Sequence, residues 1–375
     1  MSALKQYHLL TGIGACLCLL VAACSATVEQ RGETAITPIQ AGIPVKPAAR
    51  NVILFIGDGM GVSSVTAIRI LDGQRKGMPG EENVLPFERF PHVALAKTYG
   101  INQQVGESAG TATAILTGHK TKAGFIGVSE AATRSVCATG DGHHLPSLLE
   151  LSEIAGKSTG IVTTTKLSHA TPAATYAHSP ERDWENDADL TDEARQNGCK
   201  DIASQLIDFP HGNGLEVALG GGRIKFLPYD LEDPEGANTA EGRQDDRNLA
   251  QEWVEKYPDS AYVWNKTQFE AIDANTTDHL LGLFDSEHMQ YEADRAEDPG
   301  GEPSLAEMTR LAIEMLSRNP QGYFLMVEGG RIDHGHHDNN AYRALTDGIA
   351  FADAVGVADE MTDEGDTLIV VTADH

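Results

Sequence analysis

Carboxylates and imidazoles are gathered in one string of the chain, Val327-Glu328-Gly329-Gly330-Arg331-Ile332-Asp333-His334-Gly335-His336-His337. Mixed carboxylate and imidazole groups suit zinc, whereas an all-oxygen set of Asp, Glu and hydroxyl suits magnesium. Asp333 and His337 are four apart, so one helical turn would put them on one face, where they could share a metal. Such a string could equally be a solvated polar loop or a His-rich metal scavenger. Asp58, in Gly57-Asp58-Gly59, and the pair Asp374-His375 repeat the same residue types far away in sequence. Three such places opening on one edge of a sheet read as a multimetal site.

A different chemistry is offered by Gly106-Glu107-Ser108-Ala109-Gly110-Thr111-Ala112-Thr113-Ala114. A serine that opens a helix of small residues has backbone N–H groups and the positive end of the helix dipole beside it. It can host an anion or a developing alkoxide. The same position also suits a plain helix cap.

These groups need elements to position them. Val52-Ile53-Leu54-Phe55-Ile56 is a continuous apolar run halted by Gly57-Asp58-Gly59, the pattern of a buried parallel strand ending in a functional loop. Similar runs recur at Thr159 to Thr163, Val217 to Leu219, Tyr323 to Val327 and Thr367 to Thr372. Between them lie helical patterns. Ser304 to Ser317 is the clearest, with Ser304 and Glu307 spaced as a capping box and Leu305, Met308, Ala312, Met315 and Leu316 on one face. Strands alternating with helices predict an α/β fold with a mainly parallel central sheet and helices on both faces. Ligands bind at the carboxyl ends of such strands, which is where Asp58, Glu328 and Asp374 fall. The acidic, aperiodic stretch from Asp230 to Arg247 reads as a surface excursion.

The 375 residues carry a formal net charge of −27, which argues against a nucleic-acid partner. An anionic substrate would therefore need local positive charge from arginines or metals. Lys5 followed by the apolar stretch Leu9 to Ala23 reads as an export signal over residues 1–23. Val21-Ala22-Ala23-Cys24 has the form of a bacterial lipobox that would lipidate Cys24. An ordinary signal peptide holding a chance cysteine is the alternative. Residues 24–49, with Pro38, Pro44 and Pro47, read as a flexible tether, and residues 50–375 as the catalytic body. The expected location is periplasmic or outer-membrane, with the membrane reached by the lipid anchor alone. Only Cys137 and Cys199 remain in the body; export favours their pairing over two buried thiols.

Taken together, these strings resemble the alkaline phosphatase family, its animal-type members and their bacterial relatives. The resemblance runs from about Asn51 to His375. It rests on Ile56-Gly57-Asp58-Gly59-Met60-Gly61, Glu107 to Ala114, Val162-Thr163-Thr164-Thr165, His169-Ala170-Thr171-Pro172-Ala173, Val327 to His337 and Thr372-Ala373-Asp374-His375. It implies hydrolysis of phosphate monoesters through a phosphoserine at Ser108, with two zinc ions and one magnesium. Asp58, Asp374 and His375 would hold the zinc that lowers the pKa of Ser108, with Ser108 itself counted among the metal ligands, and Asp333 and His337 the zinc that activates water or steadies the leaving oxygen. Asp58, Thr171 and Glu328 would hold magnesium, with His169 reaching it through water. Arg182 would grip two phosphate oxygens. A structural calcium is implied at Glu235, the Phe284 carbonyl, Asp285 and Glu302, as are a Cys137–Cys199 disulfide and a homodimer.

Two departures from the family pattern stand out. Glu107 replaces the Asp that usually precedes the nucleophile. The histidine that supplies a third ligand to the water-activating zinc lies, in the family, downstream of the Thr-Ala-Asp-His string, so the chain reads as a fragment of a longer product. The competing readings are a phosphodiesterase or sulfatase of the same superfamily, and a catalytically dead lipoprotein that binds metal or phosphate.

Overall fold

The structure, a computed structural model, describes residues 49–375. The export signal, the lipidation of Cys24 and nearly all of the tether lie outside the described residues. Among the described residues, no helix is long and apolar enough to cross a membrane.

Seven strands form one sheet in the order β4-β5-β3-β2-β6-β1-β7. They are β1 (Asn51–Gly57), β2 (Ser158–Lys166), β3 (Val217–Gly221), β4 (Ser260–Val263), β5 (His279–Leu283), β6 (Tyr323–Gly329) and β7 (Thr367–Ala373). Every neighbouring pair is parallel. The helices that matter for the site are α1 (Val62–Arg75), α2 (Ser108–Thr117), α3 (Ala170–Tyr176), α4 (Leu305–Leu316), α5 (Arg331–His337) and α6 (Ala341–Met361).

The alternation of side chains along β1 explains both layers. Leu54 and Ile56 point to a core shared with Ala109 and Ala112 of α2 and Ala170, Ala173 and Ala174 of α3. Ile53 and Phe55 point to the opposite core, built with Ile68 of α1, Met308 and Ala312 of α4 and Phe351 of α6. Because both faces are covered, an apolar residue suits every position of the strand, hence the continuous run. Phe55 and Phe351 meet edge to face with centroids 5.8 Å apart. Burying one such ring is worth about 2–3 kcal/mol. The capping box at Ser304 is formed, with Glu307 N donating to Ser304 Oγ at 3.2 Å and Ser304 N donating to Glu307 Oε2 at 2.7 Å.

The stretch from Asp230 to Arg247 is not simply a surface excursion. Asp233 and Arg243 are buried. Arg243 forks onto Asp201 at 2.9 and 3.0 Å, and Asp233 accepts from Arg223 at 2.8 and 3.1 Å. Guanidiniums fully withdrawn from water need such partners: the loop's Asp233 serves Arg223, and Asp201, outside the loop, serves the loop's Arg243.

Cys137 and Cys199 are disulfide-bonded, closing a separation of 62 residues. Chain-entropy arguments give such a closure about 4 kcal/mol. Cys137 and Cys199 are therefore expected to resist alkylation in denaturant until reductant is added, read by mass spectrometry of their peptides. Modification of both without reductant would show that the bond does not form.

Candidate active site

Strand register delivers the carboxylates to one place. Ile56 pairs with Glu328 and Thr372, and Gly57 with Gly329 and Ala373, so Asp58, Glu328 and Asp374 arrive side by side at the carboxyl ends of β6, β1 and β7. All three are buried. Gly59 then turns with φ +59°, and a Cβ there would fall 2.4 Å from Asp333 Oδ1, so both the turn and the space require glycine. Its N–H donates to Asp374 Oδ1 at 3.1 Å.

Ligand atoms of Asp58, Asp374 and His375 lie within 4.8 Å of one another, and so do those of Asp58, His169 and Glu328. Asp58 therefore belongs to both groups. His375 Nε2 is 3.1 Å from Asp58 Oδ1. Burial, then Asp374, raises the Asp58 carboxyl well above the ordinary range. Burial works against a charged His375, but Asp58 and Asp374 pull its imidazole up to about 9. Groups perturbed in this way are crowded negative charges that favour a positive one among them. Asp333 and His337 share one face of α5, with Nε2 3.2 Å from Oδ2, and the His337 side chain is 76% exposed. The neighbouring histidines are engaged elsewhere: His336 Nε2 meets Ser64 Oγ at 3.1 Å, and His334 Nδ1 meets Arg331 Nη1 at 2.9 Å.

Around Glu328, Thr163 Oγ1 and Thr165 Oγ1 donate to Oε2. Its Oε1, the Thr171 hydroxyl and His169 Nδ1 are buried without a formed hydrogen bond. Orphaned oxygens facing a hard-oxygen group fit a magnesium-type cation. Arg182 Nη2 lies 3.1 Å from His169 Nε2. The guanidinium can only donate, so Nε2 accepts and the ring proton sits on Nδ1. His169 in this arrangement is a donor toward the group, not a direct ligand.

Ser108 opens α2, buried, with its hydroxyl donating to Asp58 Oδ1 at 3.1 Å. Thr111 Oγ1 donates to Asp374 Oδ2 at 3.2 Å. The N–H groups that the sequence offers to an anion here are partly taken. Glu107 caps the helix, accepting from Ala109 N at 3.1 Å and Gly110 N at 2.7 Å. It also accepts from Arg182 Nη1 at 2.6 Å. Burial alone would raise the Glu107 carboxyl, but the Gly124 N–H, Arg182 and the two helix N–H groups outweigh it and hold it low. Glu107 is thus ionised and ties the arginine to the nucleophile helix.

A third carboxylate group stands apart from the sheet end. Asp285 and Glu302 lie with Asp298, a residue that the sequence reading does not single out. Glu235 instead pairs with Arg223 and accepts from Gly300 N at 3.1 Å. Burial, then Asp285 and Asp298, pushes Glu302 up to about 9.

Comparison with known proteins agrees with this geometry. The alkaline phosphatase family model matches residues 49–375. The alkaline phosphatase of Gadus morhua is 48% identical over 335 residues, 88% of this chain and 69% of that protein. The tissue-nonspecific isozyme of Gallus gallus is 49% identical over 333 residues, 87% of this chain and 63% of that protein. The chain thus spans about two thirds of the length of these relatives. Among solved structures, Thermus thermophilus alkaline phosphatase superposes with a TM-score of 0.70 at 30% identity, covering 93% of this chain and 64% of that one. A variant of the alkaline phosphatase of the Antarctic bacterium TAB5, with magnesium bound in its M3 site, superposes with a TM-score of 0.64 at 26% identity, covering 88% and 78%. The chain belongs to the alkaline phosphatase family.

Proposed function

We propose that the protein hydrolyses phosphate monoesters by transferring the phosphoryl group to Ser108 and then to water. The observation that carries this reading is the Asp58 carboxylate, which is shared by two metal-type groups and accepts the hydroxyl of a serine at a helix start. Asp58, Asp374 and His375 would hold one zinc, Asp333 and His337 a second, and Asp58, Glu328 and Thr171 a magnesium. Together these ions supply Lewis-acid activation and neutralise charge on the phosphoryl oxygens.

The chain's own groups do the rest. Asp58 orients the Ser108 hydroxyl, so that Oγ bonds to phosphorus as the bond to the ester oxygen breaks, the hydroxyl proton passing to solvent and the departing oxygen taking one up; water then breaks the Oγ–P bond and restores the serine. Arg182 presents a fork to two phosphate oxygens, while Glu107 fixes the angle of that fork. Thr111 holds Asp374 in place, and Thr163 and Thr165 hold Glu328. The group of Asp285, Asp298 and Glu302 would hold a structural calcium. On the same reading the protein is an exported lipoprotein anchored at Cys24, and it pairs as a homodimer.

The test is to purify the full-length protein, measure its zinc, magnesium and calcium content, and assay an aryl phosphate, an aryl phosphodiester and an aryl sulfate side by side. Preferential monoester turnover that disappears on chelation and returns with zinc and magnesium is expected. Preferred turnover of the diester or the sulfate would overturn the substrate class.

A further inference from the structure

Arg134, whose side chain is 47% exposed, is bound by the residue that precedes Arg182. Its Nε donates to Glu181 Oε2 at 3.0 Å and its Nη2 to Glu181 Oε1 at 2.8 Å. Ser135 Oγ donates to the same Oε2, and Ser135 N to Pro180 O at 3.1 Å. Glu181 is buried and immediately precedes Arg182. Arg134 therefore clamps the residue next to the one that faces phosphate.

The other side of Arg134 meets Gly124. The guanidinium packs so close to this residue, which has φ +79°, that a Cβ there would fall 2.4 Å from Arg134 Cζ. Gly124 N donates to Glu107 Oε1 at 2.8 Å, and Gly124 O accepts from Arg182 N at 2.9 Å. Since Glu107 Oε2 accepts from Arg182 Nη1, residues Gly124, Glu107 and Arg182 form a closed ring. Arg134 packs against that ring at Gly124.

The loop that carries Arg134 is itself pinned. Ser135 has φ +58°, a left-handed conformation that a serine keeps only where its surroundings enforce it. Cys137 is bonded to Cys199, and Cys137 N donates to Glu193 Oε2 at 2.8 Å. Cys137 packs in a small core with Trp184, two residues beyond Arg182. Both flanks of Arg182 are thus tied to the Arg134 loop.

We infer that Arg134 is a positioning residue for Arg182: by clamping Glu181 and backing Gly124, it sets the angle at which Arg182 meets phosphate oxygens. It thereby tunes affinity for phosphate without touching it. The planar fork is what the clamp requires, since a lysine would bring the charge without the two-pronged geometry. This inference rests on the proposed role of Arg182.

The test uses the full-length, zinc- and magnesium-loaded protein and its Arg134→Ala, Arg134→Lys, Arg182→Ala and Arg134→Ala/Arg182→Ala variants. Inhibition by inorganic phosphate, kcat/KM for an aryl phosphate and bound metal are measured for each. Arg134→Ala is expected to weaken phosphate inhibition about tenfold, the size of a coupling of roughly 1.4 kcal/mol between neighbouring groups. Zinc and magnesium content should be unchanged, Arg134→Lys should not rescue, and Arg134→Ala should have no further effect once Arg182 is Ala. Rescue by Lys would mean that Arg134 acts through its charge, and an equal loss in the Arg182→Ala background would mean that it acts independently. Either result overturns the inference, as does unchanged inhibition in Arg134→Ala or a loss of metal in place of phosphate affinity. Unchanged inhibition in Arg182→Ala alone would instead remove the role of Arg182 on which the inference rests.

Discussion

Replacing Ser108 by Ala is expected to lower aryl-phosphate turnover by at least about a thousandfold, because the covalent route loses its nucleophile. The fold should tolerate the change. Glu107, not Ser108, caps the helix through Ala109 N and Gly110 N, and alanine is the best helix former for the first turn. Magnesium content should stay near that of the parent, since Asp374 is held by Gly59 and Thr111, Glu328 by Thr163 and Thr165, and Asp58 also meets His375. The decisive measurement is an acid quench after incubation with labelled phosphate, followed by peptide mapping. Label on the Ser108 peptide of the parent, and none in the variant, is expected. Thr111 is the informative competitor, since its hydroxyl also reaches the site through Asp374. Label there, or at any other residue, would move the nucleophile.

Much of this arrangement was legible in sequence because β1, β2, β3 and β6 are buried on both faces, and β7 is apolar along its length although Leu368 and Val370 are exposed. The β1, β2, β3, β6 and β7 runs were readable as apolar stretches, and the polar residues after them marked the functional edge. The two strands that escaped are of another kind. β4 is only four residues long and mostly half-buried at the sheet edge. β5 begins with His279 and contains Gly282, whose missing side chain leaves room for Leu219 and Phe284. Neither shows the long apolar signature of a buried strand.

Side-chain identity and strand position foretold which carboxylates meet, and said little about the charge network. Asp58, Glu328 and Asp374 could be placed together because strand ends in a parallel sheet converge. Nothing in the composition of Asp230 to Arg247 says that Arg243 finds Asp201, or Asp233 finds Arg223, since those pairs depend on how a loop folds back. The same holds for Asp298, which joins Asp285 and Glu302 only in space, and for Arg134, which meets Glu181 across 47 residues. Glu107 was readable as an unusual neighbour of the nucleophile. That its carboxylate caps the helix and holds Arg182 at once is a fact of geometry.

Asp58→Asn should have a larger effect on metal content than a change at any single-group ligand, because one carboxylate serves two groups. Asparagine keeps the shape and an oxygen for the Ser108 hydroxyl, but removes the negative charge. Loss of a partner only adjacent to a metal site costs about 10–100-fold in affinity, so loss of a shared ligand should cost at least about a hundredfold at both sites. Turnover should fall by more than about a hundredfold with it. Asp333→Asn is the control, since it alters the second zinc pair alone and should leave magnesium bound. There is also a pH signature. Burial raises the metal-free Asp58, Asp374 and Glu328 carboxyls, with the Asp374 charge adding to it at Asp58 and Glu328, so each binds its proton more tightly folded than unfolded. Stability from these protons is full below the ordinary carboxylate range and is lost as pH rises through the raised values. The metal-free parent should therefore melt at lower temperature as pH climbs from mildly acidic to alkaline, and metal loading, which releases those protons, should remove the decline. Asp58→Asn should flatten the metal-free profile by removing one of the three groups. Full zinc and magnesium in Asp58→Asn, with a pH profile like that of the parent, would show that Asp58 is not the shared ligand.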